Sequence, residues 1–319
     1  MAKKHIQKLV NWLYLIRNGM NIPIWSIAVF MTNDVVSAKS LQEMNLDIPT
    51  LQASDVNDVQ AEFVADPFII RHDSQFYMFF EVMNKVSGRG EIAAAVSLDG
   101  VKWDYQQIVI REPFHISYPQ VFKVKDDIYM IPETIEANRV LLYKAKQFPI
   151  LWEKTSELLD GHYLDPSVIE YAGKWWMFAG TEERNLHLFA ADTLEGPWSE
   201  HPSSPIITND ISITRPGGRL IVSGDHLYRY TQNCYPYYGI SVKEFKVKAL
   251  SETEYEEEEI SQIMSGTQKD SDWRRDGMHH IDQLRIDDNQ WLVAVDGHTF
   301  KKSNYFVWKF NRIFEKVFS

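Results

Sequence analysis

Two aspartates that stand directly before a proline, Asp66-Pro67 and Asp165-Pro166, are this chain's clearest candidates for chemistry. Both open one phrase: a polar residue, a proline, an apolar run, a turn, an aromatic run. It reads ADPFIIRHDSQFYMFFE from Ala65, SYPQVFKVKDDIYMIPE from Ser117 and LDPSVIEYAGKWWMFAG from Leu164. In each copy an aromatic lies ten residues past the proline: Tyr77, Tyr129 and Trp176. Folding the first copy as a hairpin about Asp73-Ser74 sets Asp66 opposite Glu81. The same folding about Lys125-Asp126 sets Tyr118 opposite Glu133. The third copy sets Asp165 opposite Gly180, with Glu182 and Glu183 just beyond. Cross-strand Cβ atoms lie roughly 4.5–5.5 Å apart. Carboxyls that close raise one another's pKa or call for a cation. Such groups suit general acid–base work, although a single bulge undoes the pairing.

The elements that hold these residues follow from the repetition. Looser copies begin at Thr214 (TRPGGRLIVSGDHLYRYTQ) and His279 (HHIDQLRIDDNQWLVAVDG), with Ile281 in the proline slot and Trp291 in the aromatic slot of the last. Between copies lie further strand-like runs that end on Trp103, Trp152 and Trp198, which are read as packing residues. About four short strands per unit, repeated five times, predict an all-β, five-bladed β-propeller with four-stranded antiparallel blades. A β-sandwich is the alternative, but a sandwich needs no repeated phrase. In a propeller the innermost strands line a central channel. The residue before each proline therefore rings one mouth: Asp66, Tyr118, Asp165, Arg215 and His280. Arg215 is the expected counter-charge for Asp66 and Glu81. Neighbouring strand residues face opposite ways, so one ring of Trp175-Trp176 must leave its own core face, and Trp176 joins the candidate ligand contacts.

Composition limits the partners. The chain has 319 residues, 45% hydrophobic and 13% aromatic, and a net charge of −11. That balance argues against nucleic acid, which selects a basic face. One cysteine, Cys234, excludes an internal disulfide. No signal peptide and no transmembrane run are recognised, which predicts a cytoplasmic protein. Residues 1–22 are expected to form an amphipathic helix or extension, with Ile6, Leu9, Val10, Leu13 and Ile16 at helical spacing. That helix is read as packing on the propeller of residues 23–319, or as a contact for a membrane surface or a transferase partner. Ile24–Phe30 is expected to be a strand that closes the ring. The acidic run Glu252–Glu259 is read as a solvated loop or strand edge. No nucleophile elbow, phosphate loop, dinucleotide fingerprint or zinc spacing is present.

The ADPFII, LDPSVIEYAGKWWMF and ADTLEGPW segments resemble the five-bladed propellers of glycoside hydrolase family 43 and its relatives. The likeness is closer to the propeller domain of glucosamine inositolphosphorylceramide transferases and of some sugar formyltransferase-like proteins, where it accompanies a separate transferase domain. The resemblance implies Asp66 as general base and Asp165 as the residue that orients the acid and tunes its pKa. The family's acid, a glutamate opening the fourth blade, is replaced here by Arg215. Arginine cannot donate a proton at useful pH. A substitute acid would come from Glu81, Glu133, Glu182 or Glu183, with Glu133 preferred, and hydrolysis would invert configuration. Arg215 is alternatively read as a bidentate contact to an anionic group of a glycoconjugate. The resemblance also implies a channel site for calcium, no other cofactor being required, with His279 or His280 beside it and Asp282 and Asp296 as further acids. Three functions stay open: a glycan-active enzyme, a non-catalytic glycan-binding module that serves a glycosyl- or formyltransferase pathway, and a protein-interaction propeller.

Overall fold

The computed structural model describes residues 19–35, 46–304 and 306. Their strands form five antiparallel sheets that follow one another along the chain. Blade 1 holds Ala61–His72, Gln75–Asn84, Arg89–Ser97 and Asp104–Ile110. Blade 2 holds Ser117–Val124, Asp127–Glu133, Arg139–Gln147 and Leu151–Asp160. Blade 3 holds Leu164–Tyr171, Lys174–Gly180, Leu186–Ala191 and the short Ser199–Glu200. The inner strand of blade 4 is split into Arg215–Pro216 and Ile221–Ser223. Beyond it lie His226–Asn233, Ser241–Leu250 and Tyr255–Ser265.

Blade 5 departs from four strands. Among the described residues it has Ile281–Asp287, Gln290–Ser303 and, as its outer strand, Met20–Thr32 from the start of the chain. Ile27 pairs with Asp296 in the middle of that closing ladder, and Leu51 bridges Ile27 at the edge. The ring closes through the expected early strand. Residues 1–18 of the expected helix lie outside the described residues. Its last part, Met20–Ile22, is already strand, so no helix is found there and the closing strand starts before residue 23. Among the described residues no helix is long and apolar enough to cross a membrane.

Five apolar clusters fill the five clefts between neighbouring blades. Phe68, Phe79, Tyr118, Val121 and Leu141 join blades 1 and 2, for example, and Ile27, Leu292 and Ala294 join blade 5 to Ile69 and Met78 of blade 1. The three tryptophans between the third and fourth strands, or at the start of the fourth, are packing residues as expected. Each indole N–H closes its own turn, Trp103 on the Gly100 carbonyl, Trp152 on Pro149 and Trp198 on Leu194. The acidic run forms part of the outer strand of blade 4, with Lys243 and Lys248 paired to Glu259 and Glu258.

Below the mouth the channel is filled by polar ties. Arg219 clamps Asp282 at 2.6 and 3.0 Å and donates to the carbonyls of Ile69 and Val121. The Gln120 amide takes the Val168 N–H and gives to its carbonyl, both at 2.8 Å. The mouth is therefore a bowl with a closed floor, and Asp282 belongs to that floor.

Candidate functional site

The hairpin arithmetic holds only for the lower part of each blade. In blade 1, Phe68 faces Phe79 and His72 faces Gln75, but Ala65, not Asp66, faces Glu81. A bulge at Asp66-Pro67 takes up the difference. The same irregularity moves Glu133 opposite Ser117 and Gly180 opposite Leu164. The bulged residues Asp66, Tyr118 and Asp165 all have left-handed backbones, with φ of 54°, 49° and 48°. None is glycine, so each costs on the order of 1–3 kcal/mol that the surrounding fold must offset. Proline supplies no N–H to the ladder at that point, which makes a bulge the economical solution. The expected direct pairings Asp66–Glu81 and Tyr118–Glu133 are thus corrected. The carboxyls still converge at the mouth, on different backbone geometry.

Arg215 comes to rest elsewhere than predicted. Its Nε contacts Asp165 Oδ2, and Nη2 lies 3.3 Å from Glu133 Oε2 and 3.4 Å from Asp165 Oδ1. The Tyr238 ring covers the guanidinium at 5.0 Å. Gln232 Nε2 donates to Asp165 Oδ2 at 2.7 Å. The counter-charge thus serves Asp165 and Glu133 rather than Asp66 and Glu81, and its fork is already engaged. Glu133 is 4% exposed, and burial, reinforced by Asp165, holds its carboxyl well above the usual range although Arg215 opposes this.

Asp66 sits in a separate cluster. Its backbone N–H donates to Asp296 Oδ2 at 3.0 Å, and its Oδ2 accepts the Tyr118 N–H at 3.3 Å. Asp296 Oδ1 accepts the backbone N–H of both His279 and His280 and lies 2.8 Å from His279 Nδ1. His279 Nε2 and His280 Nδ1 then face Asp66 Oδ1 at 3.6 and 3.8 Å. Both rings reach one carboxylate because these histidines precede the regular strand, so strand alternation does not separate them. Burial pushes the Asp66 carboxyl up to about 7, with Asp296 and Asp165 adding and His279 and Arg215 opposing. Burial lowers His280 to about 4, which keeps it neutral. For His279, burial is outweighed by Asp296 and Asp66, and its pKa rises.

Glu81 meets a residue that sequence reading missed. His115 Nε2 lies 3.6 Å from Glu81 Oε1, while His115 Nδ1 accepts the Gly90 N–H at 2.9 Å. That bond leaves the neutral ring's proton on Nε2, aimed at the carboxyl. Burial lowers the His115 pKa and raises that of Glu81 well above the usual range, with Asp66 and Glu133 adding to the latter. Among the described residues neither Asp66 Oδ1 nor Glu81 Oε1 has a hydrogen-bond partner, though both are buried. Buried orphan acceptors cost about 1–3 kcal/mol each, and a ligand donor removes that cost.

Several expected contacts lie elsewhere. Tyr118 is fully buried, with its hydroxyl 2.8 Å from Ser167 Oγ and accepting the Gly218 N–H at 2.6 Å, so it builds the floor. His280 is fully buried too, with Nε2 on the Pro67 carbonyl. Trp176 is 2% exposed in the core between blades 3 and 4, so no ligand reaches its ring. Glu182 and Glu183 lie on an exposed turn between the second and third strands of blade 3, outside the buried carboxyl group. Besides His115, sequence reading missed Gln232, Trp25 and Tyr238. Trp25 stacks on His279 at 4.0 Å, and the 40% exposed Tyr238 stands edge-on to His279 at 5.0 Å. The CYPYYG segment from Cys234 was the available signal for Tyr238, as tyrosines crowd there at the turn after a second strand.

Asp66, His279 and Asp296 offer ligand atoms within 4.8 Å of one another, so His279 rather than His280 belongs to the candidate metal set. Calcium takes six to eight oxygens. Here both Asp296 oxygens already accept N–H groups, which leaves Asp66 Oδ1 as the one open carboxylate oxygen beside an imidazole nitrogen. The set suits calcium poorly.

Fold and mouth together define a five-bladed β-propeller with a buried carboxyl cluster at its channel. The sequence profile of the family described as "Glucosamine inositolphosphorylceramide transferase 1, N-terminal" matches residues 21–298, and the chain belongs to that family. Glucosamine inositolphosphorylceramide transferase 1 of Oryza sativa subsp. japonica is 35% identical over 247 residues, covering 74% of this chain and 33% of the relative. The Arabidopsis thaliana protein of the same name is 28% identical over 304 residues, covering 88% of this chain and 40% of the relative. The chain thus spans well under half the length of these relatives. A thermostable family-43 glycoside hydrolase shares the fold with a TM-score of 0.51 at 17% identity, over 61% of this chain and 75% of that one.

Proposed function

We propose that the mouth binds a glycan headgroup without hydrolysing it, and that the propeller serves a glycosyl-transfer reaction carried out elsewhere. One observation carries this reading. Arg215 stands where the hydrolases' general acid is expected and is pinned to both Asp165 and Glu133. It removes the acid and occupies the residue that would tune it. The remaining open groups are acceptors, Asp66 Oδ1 and Glu81 Oε1, beside the exposed edge of Tyr238. Sugar hydroxyls, which both donate and accept, satisfy these carboxyl oxygens whether or not the carboxyls hold their protons, and an amino-sugar ammonium satisfies them once they ionise. The relatives are named for glucosamine and inositolphosphorylceramide, and a headgroup with an amino sugar fits the same chemistry.

The test is a panel of neutral, amino and acidic sugars and short glycans, scored by thermal shift and by release of reducing sugar. Neutral or amino sugars should raise the melting temperature with no release, and Asp66→Asn should abolish that rise. Sugar release by the wild type that disappears in Asp66→Asn would overturn the proposal. A second reading, hydrolysis with Asp66 as base and Glu81 as acid, draws on the raised pKa of the buried Glu81 carboxyl and predicts that second result.

A further inference from the structure

Outside the mouth, blade 1 carries a groove of about 760 Å³ between the chain near Asp58 and the turn that joins Asn84 to Arg89. It lies at the same end of the blade as the mouth, because Asn84 follows Glu81 on one strand. Its floor is Glu91, 2% exposed, whose Oε1 accepts from Asn84 Nδ2 at 2.9 Å and Ser87 Oγ at 3.4 Å. Glu91 Oε2 accepts from Arg111 Nε at 3.0 Å. The other acid of the groove, Asp58, has one oxygen on the Tyr105 hydroxyl and the other on the Ile108 N–H. Both carboxylates are therefore spent on protein donors.

The two arginines are not. Arg111 is anchored through Nε to a buried carboxylate, which orients its two terminal nitrogens while the side chain stays 58% exposed. Arg89 is two residues before Glu91 on one strand, so strand alternation sets it on the same face. No partner engages the Arg89 side chain among the described residues. A pre-oriented guanidinium beside a free one, over a floor whose acids are already satisfied, is a donor arrangement suited to a tetrahedral oxyanion. It is a local exception on a chain with 33 basic against 44 acidic residues.

We propose that Arg89 and Arg111 form a phosphate-binding site on the rim of blade 1, distinct from the mouth. The site accepts a phosphate ester, either free or on a lipid headgroup. Only a short path separates it from the mouth: Gly90, between Arg89 and Glu91, donates to His115, and His115 faces Glu81. The site stands whether or not the mouth binds sugar.

Titration calorimetry with inorganic phosphate and with myo-inositol 1-phosphate tests the proposal on the whole chain. Binding should weaken with salt. Arg89→Gln, which leaves the Arg111–Glu91 pair intact, should weaken it roughly tenfold, as expected for loss of one charge-assisted contact. Arg111→Lys keeps the charge but loses the fork, and should also weaken it. Sedimentation with phosphatidylinositol vesicles, against phosphatidylcholine vesicles, distinguishes a lipid-borne phosphate from a soluble one. Absence of phosphate binding by the wild type, or unchanged binding by Arg89→Gln and Arg111→Lys, overturns the site. Arg89→Gln should leave neutral-sugar binding intact and Asp66→Asn should leave phosphate binding intact, so the two proposals fail separately.

Discussion

Asp66 holds its proton up to a pH of about 7, against an ordinary value of 3.8. Between those values the unfolded chain gives up the proton while the folded chain keeps it. Folding stability contributed by this group therefore falls as pH rises from 3.8 through about 7. Glu81 and Glu133 act in the same direction. His280 acts oppositely: with a folded value of about 4 against 6.5, its neutral burial costs stability as pH falls across that window. Comparing variant with wild type at each pH isolates the aspartate. Asp66→Asn should melt above the wild type at pH 8, and the difference should vanish near pH 3. Arg215 has the reverse character. Removing a partner from a buried ion pair costs about 3–5 kcal/mol, so Arg215→Met should lower denaturant stability by that order. A neutral effect on unfolding would mean that Asp165 and Glu133 do not depend on it.

At the scale of the element, the bulge before each proline and the close approach at Gly90 place the site. A Cβ at Gly90 would stand 2.5 Å from the Ile116 carbonyl oxygen and 2.6 Å from Glu81 Oε1. Gly90→Ala should therefore push Glu81 off His115, lower the melting temperature and weaken ligand binding at the mouth. Equal binding by this variant would remove Glu81 from the site. The hairpins were legible because apolar and aromatic residues alternate about an identifiable turn, and pairing is correct from Phe68–Phe79 to His72–Gln75. It failed two residues higher, at Asp66, because a bulge depends on how the strand must bend at the channel, which no alternation pattern encodes. Gly218 shows the same limit. A Cβ there would lie 1.8 Å from the Ile281 carbonyl oxygen, a contact with the next blade that the segment TRPGGR does not announce.

At the scale of the molecule, closure rests on Met20–Thr32 pairing with Gln290–Ser303. Ile27 is fully buried in the seam between blades 5 and 1. Ile27→Ala should cost about 2–5 kcal/mol in chemical denaturation, because it opens a cavity where both ends of the ring meet. The sequence by itself determined the five blades, their order, the early closing strand and the ring of residues before the prolines. These follow from strand periodicity and repetition, which are local properties. Tertiary structure alone decided which charges pair. Arg215 went to Asp165 and Glu133, both histidines went to Asp66, and His115 reached Glu81. Those contacts join residues up to 214 positions apart across the channel, as between His280 and Asp66. Spacing along the chain carries no information about them, because they are set by how five blades converge on one axis.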